Sequence, residues 1–160
     1  MKRRLLCLCL ILILCSLTSC SSKKNEEDSY YGVELGYDFY IYLSELDIQE
    51  IHFSNITKEV EANVQLDLKN IEYKILSNED RQVFELCFEE MTLSTYSGER
   101  YTYDHVIKIV REEDSLILAF NMDDKKIYYT YYENNIESYI TCEGEMTTEQ
   151  EEVLDIIAGD

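Results

Sequence analysis

The stretch "YTYDHVIKIVREEDSLILAFNMDDKKIYYTYYENNIESYITCE", residues 101–143, is broken by three polar pairs, Glu113-Asp114, Asp123-Asp124 and Asn134-Asn135. Between them lie short segments rich in Val, Ile, Leu, Phe and Tyr, residues that suit a pleated, half-buried surface. Asp and Asn form turns because their side chains hydrogen-bond the nearby backbone and tolerate left-handed φ. Short segments joined this way predict antiparallel strands in sequence order. Upstream, "TLSTY" turns at Ser97-Gly98 into the same series. The expectation is a four- to five-strand meander.

Toward the amino end, "VELGYDFYIYL" alternates strictly, with Val33, Leu35, Tyr37, Phe39, Ile41 and Leu43 on one face. "DIQEIHFSN" reads as a short strand around Ile51 and Phe53. A further strand is expected where Val60, Ala62, Val64, Leu66 and Leu68 alternate with polar residues. Its phase slips at Lys69-Asn70, where a bulge or tight turn is expected, and resumes at Ile71, Tyr73 and Ile75. Ser77-Asn78-Glu79-Asp80 has the capping-box pattern, and Val83, Phe84, Cys87, Phe88 and Met91 follow at helical spacing. That predicts a helix near 78–91. Thr147 or Thr148 is expected to cap a C-terminal helix near 148–158, with Val153, Leu154, Ile156 and Ile157 covering the sheet. Long N-terminal strands, helix, meander and helix define an α+β class dominated by an antiparallel sheet.

Tyrosine is in excess, fourteen residues in a chain with no Trp. In "IYYTYY" alternation sends Tyr129 and Tyr131 to one face and Tyr128 and Tyr132 to the other. If only one face meets the helices, Tyr128, Tyr132 and Tyr139 on the next strand make an exposed row. Such rows bind sugars by stacking or proteins through rigid contact area. Half-buried strand packing is the alternative. His52 and His105 are the only histidines, and His105 is expected on one face with Tyr101, Tyr103, Ile107 and Ile109. No HExxH, paired CxxC or close His spacing points to zinc, and Asp123-Asp124 lacks the spacing of a calcium loop. Without a G-x-S-x-G elbow or a glycine-rich phosphate loop, no residue is assigned a catalytic role and no cofactor is expected.

The amino terminus carries an address. Lys2, Arg3 and Arg4 precede the apolar run "LLCLCLILIL", which is too short to span a bilayer needing about 20 residues. Leu17-Thr18-Ser19-Cys20 then resembles the lipobox of bacterial prolipoproteins. The resemblance implies a diacylglyceryl group on the Cys20 sulfur and cleavage before Cys20. It also implies lipid anchoring on the extracytoplasmic face of the cell membrane, since two acyl chains hold stably where one does not. Residues 1–19 are then a cleaved signal, 20–29 a flexible tether and 30–160 one α+β domain. The absence of Pro and Trp beside many Ile, Lys, Asn and Tyr suits an AT-rich, Gram-positive source.

Of the six cysteines, Cys7, Cys9 and Cys15 leave with the signal and Cys20 is acylated. Cys87 and Cys142 remain, as a disulfide or as two buried thiols. Loss of the signal leaves 11 of 14 basic residues against 33 acidic ones, a formal charge of −22. That surface repels nucleic acid, whose binding rests on Lys and Arg at phosphates. The mature length is too short for a two-lobed solute-binding protein. The expectation is a non-enzymatic binding module for an envelope protein or glycan. The alternatives are an envelope enzyme with a site assembled from distant residues, or an inhibitor or accessory subunit with a basic partner.

Overall fold

A computed structural model describes residues 38–134 and 136–159. The expected signal, lipobox and tether, and the expected start of the first strand at Val33, Leu35 and Tyr37, lie outside the described residues. Among the described residues, eight strands form one antiparallel sheet, accompanied by two α-helices. In chain order these are β1 (Asp38–Tyr42), β2 (Glu50–Glu61), β3 (Lys74–Ile75), α1 (Asn78–Cys87), β4 (Glu90–Thr95), β5 (Arg100–Val110), β6 (Ser115–Asn121), β7 (Lys126–Glu133), β8 (Ser138–Glu145) and α2 (Thr148–Gly159). A 3-10 turn, Leu43–Glu45, follows β1.

The strand order is β1-β4-β8-β7-β6-β5-β2-β3. The meander is therefore β5 to β8, and the expected hairpin between β4 and β5 does not form. β4 pairs instead with β8, Ser94 opposite Glu143, and with β1, Phe39 opposite Leu93. Four strand spacings separate β4 from β5, about 19 Å in a flat sheet. Five residue steps join Thr95 to Arg100, at most about 17 Å even when extended. The link is not extended, because the Tyr96 hydroxyl donates to the Arg100 carbonyl at 2.5 Å. The sheet must curl so that β4 and β5 converge.

One face of the sheet carries the larger core. Ile51, Phe53, Leu93, Ile107, Ile109, Leu118 and Phe120 meet both helices there. Phe84 on α1 and Phe88 at its C-cap stack at 4.5 Å, and Phe88 meets Phe120 edge-on at 5.6 Å. Burial of each such ring stabilises the fold by roughly 1.5–3 kcal/mol. Ser77 caps α1 as its sequence predicts, its hydroxyl accepting from Asp80 N at 3.1 Å. The helix ends four residues short of the expected 91, with Phe88 as its C-cap, and Met91 packs into the core from β4 instead. Val83, 43% exposed, and Ile156, 61% exposed, face outward rather than covering the sheet.

The α2 cap is reciprocal. Thr147 Oγ1 accepts from Gln150 N at 3.2 Å, and Gln150 Oε1 accepts from Thr147 N at 2.9 Å. This is a Thr-x-x-Gln capping box. Gln150 Nε2 also donates to the Cys87 carbonyl at 3.1 Å, tying the end of α1 to the start of α2.

The second face is also covered, by chain that was expected to be a strand. Residues past Glu61 leave the sheet, and 62–73 cross its opposite face without regular structure. Ala62, Leu66, Leu68 and Tyr73 pack on Tyr101, Tyr103, Val106, Ala119 and Tyr128. Of the alternating residues, Val60 is still on β2, Ala62, Leu66 and Leu68 turn inward, and Val64 is 48% exposed. The expected turn at Lys69-Asn70 is present, with Asn70 at φ 66°. Asn63, at φ 58°, pins the cover to β8: its backbone N–H donates to Thr141 Oγ1 at 2.9 Å, and its Oδ1 accepts from Thr141 N at 2.8 Å.

β5 changes face along its length. Tyr101 and Tyr103 join the second cluster, while Ile107 and Ile109 join the first, although all four are odd-numbered. The change coincides with a register shift on β2 between Asn55 and Lys58. His105 therefore does not share a face with Tyr101 and Tyr103 as expected; its ring lies against Phe53 at 5.3 Å. Side chains take over where the ladder to β6 stops at His105 and Phe120. Asn121 Nδ2 donates to the Thr102 carbonyl at 3.0 Å, and the Asp104 carboxylate accepts from Met122 N at 3.2 Å.

Candidate interaction surface

The expected tyrosine row divides. Tyr128 is not exposed: it retains 5% accessibility and stacks on Tyr101 at 4.3 Å, with Tyr96 edge-on at 5.6 Å. Rings from β5 and β7 meet because Ala119, on β6 between them, is small and pairs directly with Tyr128. Burial, then the neighbouring Tyr96, Glu143 and Asp124, pushes the Tyr128 hydroxyl up to about 12. Tyr128 is core on the covered second face.

Tyr132 and Tyr139 remain at the surface. They are direct partners across β7 and β8, with rings 5.2 Å apart and inclined at 64°. Tyr132 is 48% exposed, and Ile136 in the turn beyond is 60% exposed. These residues sit on the outer half of the hairpin, past the last β6 pairing at Tyr129 and the last β4 pairing at Cys142. On the helix side Phe39 stacks on Tyr129 at 5.5 Å and on Tyr131 at 5.3 Å, which steadies the arm. The hydroxyls of Thr130 and Thr141, at 2.9 Å, join the two strands at its base. The arm presents an aromatic edge-to-face pair and an aliphatic side chain, groups suited to a protein or glycan contact. Ile136 had a weak signal in sequence, an isolated apolar residue after two asparagines.

The other expected site residues lie apart. Cys87 lies at the end of α1 and Cys142 on β8, and no disulfide joins them, so the disulfide alternative is not realised. Burial and the nearby Glu149 push the Cys87 thiol up, away from the reactive thiolate. His52 Nε2 donates to the Glu50 carboxylate at 2.8 Å at the surface. His105, 7% exposed, has an Nδ1 without a hydrogen-bond partner among the described residues. Asp124 closes the hairpin turn with Asn121, its backbone N–H donating to Asn121 Oδ1 at 2.8 Å. No cluster of metal-ligating side chains occurs among the described residues.

Two grooves among the described residues also bear on binding. One, beside the start of α2, holds Lys126 between Glu143 at 3.4 Å and Glu145 at 2.5 Å, with Glu90 also in the lining. The other lies between the 3-10 turn and α1, where Leu43, Leu46 and Ile48 approach Leu86. Leu86 is 79% exposed, and the amphipathic reading of α1 had no place for an outward leucine. Comparison with protein-family models, curated proteins and solved structures finds no match to this chain.

Proposed function

We propose that the chain is a bacterial lipoprotein, held through Cys20 at the extracytoplasmic face of the cell membrane, whose domain binds another envelope component without catalysing a reaction. The observation that carries the anchor is Leu17-Thr18-Ser19-Cys20 directly after a basic and apolar leader. Binding rather than chemistry is supported by the placement of the titratable groups. His105 is packed against a phenylalanine, His52 is engaged by a surface carboxylate, and exposed apolar groups, among them Tyr132 and Ile136 on the β7–β8 arm and Leu86 on α1, lie elsewhere. A basic partner, as for an inhibitor or accessory subunit, is favoured by the formal excess of 19 negative charges on the full chain.

Cys20→Ala tests the anchor. The variant loses metabolic palmitate labelling and accumulates unprocessed; normal labelling and maturation would refute it. Photo-crosslinking from position 132 in intact membranes tests the arm, which is expected to yield one discrete adduct. Absence of any adduct from this position, with the chain correctly anchored, removes the arm from the reading.

A further inference from the structure

We propose that the groove between the 3-10 turn and α1 docks a cationic amphipathic segment of a partner protein; this deepens the interaction-module reading and rests on it. The groove measures about 520 Å³, a size that takes several side chains. Its floor is apolar. Leu43 is buried, and Leu46 and Ile48 are half-buried against the main core. Leu86 completes it from α1 while keeping 79% of its surface exposed. A leucine so exposed adds little to folding, yet it adjoins three other aliphatic side chains at one groove.

The walls are held in place. Arg81 Nη1 and Nη2 donate to the carbonyls of Gln49 and Ile48, both at 2.8 Å, and Nε donates to Glu85 at 2.7 Å. This one cation of the lining thus fastens the loop to the helix and is itself neutralised. The remaining lining charges, Asp47 and Glu89, have no ion-pair partner among the described residues. An apolar floor with uncompensated carboxylates selects an occupant with apolar anchors flanked by Lys or Arg. The same carboxylates repel anionic lipid headgroups and other acidic chains. Amphipathic helices seat in such grooves through anchors three or four residues apart. The acidic surface as a whole steers the cationic segment inward.

The probe is a synthetic helical peptide with Leu at three- and four-residue spacing and Lys at the intervening positions, beside a scrambled peptide of equal composition. Each is titrated against the full mature protein by fluorescence anisotropy and amide chemical shifts. The patterned peptide is expected to bind at least tenfold more tightly than the scrambled one and to shift amides in 43–48 and 81–89. Leu86→Asn, at an exposed site, should keep the melting temperature and weaken binding about tenfold. Asp47→Asn with Glu89→Gln should weaken it several-fold and flatten its salt dependence. Glu112→Gln with Glu113→Gln, the same charge change elsewhere, should leave it unaltered.

Equal binding of both peptides, an unchanged affinity for Leu86→Asn, or amide shifts confined to other regions would each overturn the proposal. So would sedimentation showing a dimer that Leu86→Asn dissolves, since the groove would then be occupied by a second copy. The anchor experiment on Cys20 involves none of these residues, so the groove and the lipoprotein reading fail separately.

Discussion

Asn63 is a single side chain on which attachment of the second-face cover can be measured. Thr141 is fully buried, and its N–H donates to Asn63 Oδ1 at 2.8 Å. Replacing Asn63 by Gly keeps the left-handed φ of 58° and the backbone N–H that donates to Thr141 Oγ1, and removes only the acceptor. A buried donor left unsatisfied costs about 1–3 kcal/mol. Asn63→Ala adds the penalty of a Cβ in the left-handed region, about 1–2 kcal/mol more. Asn63→Asp restores an acceptor at the same reach and should stay near the parent. The expected stability order is parent and Asp, then Gly, then Ala. In urea, at a slope of about 1.5 kcal/mol per molar, the Gly variant should lose roughly 1 M in midpoint with unchanged slope. A Gly variant within about 0.5 kcal/mol of the parent, or less stable than Ala, would refute the pinning of 62–73 through this bond.

The tyrosines on β7 separate by burial: Tyr128→Ala should cost on the order of 3 kcal/mol, as for other buried aromatics, and Tyr132→Ala, at the exposed end, about 0.5 kcal/mol or less. Equal melting temperatures for the two would contradict the covered second face. Alkaline pH supplies an independent check, because burial pushes both Tyr103 and Tyr128 up to about 12 against an ordinary 10. The unfolded chain releases these protons first. Their contribution is therefore complete below pH 10 and is lost as pH rises through the folded values, with a slope of up to about 1.4 kcal/mol per pH unit for each. Phenolate absorbance should show buried hydroxyls, those of Tyr103 and Tyr128 among them, titrating late in the native protein and normally in urea; a single ordinary titration in both would exclude their burial.

Where structure is set by neighbours in sequence, the chain reads plainly. Ser77 caps α1, a capping-box threonine opens α2, and Glu113-Asp114 and Asp123-Asp124 fall in the connections between β5, β6 and β7 as expected. Register across distant segments leaves no such mark. "TLSTY" next to "YTYDHV" has the look of a hairpin, yet β4 pairs with β8 because the sheet curls and offers it that edge. The alternation from Val60 to Leu68 is real but ambiguous. Burying one side of a chain produces period two whether its backbone bonds to a neighbouring strand or crosses a sheet face as cover. Tyr128 was misplaced for the same reason, since exposure depended on whether anything lay over the second face. Of the candidate surface, Tyr132 and Tyr139 follow from strand alternation. Leu86 required knowing that Phe84 is the buried residue of α1, with Phe88 packing beside it at the C-cap.

The position of β4 between β1 and β8 also sets an order of assembly. Tyr132 and Tyr139 pair seven residues apart and His105 and Phe120 fifteen, whereas Phe39 and Leu93 are 54 apart and Ser94 and Glu143 are 49 apart. Distant pairings must close long loops before any contact repays the entropy, so they form late. A chain emerging amino end first would carry β1 and β4 without their sheet neighbour until β8 had followed. Pulsed hydrogen exchange during refolding should therefore protect amides of β5 to β8 before those of β1 and β4; the reverse order would show that the edge pair nucleates the fold. Until residue 143 arrives, Phe39, Ile41 and Leu93 are apolar side chains without a sheet, the surface a holding chaperone would recognise.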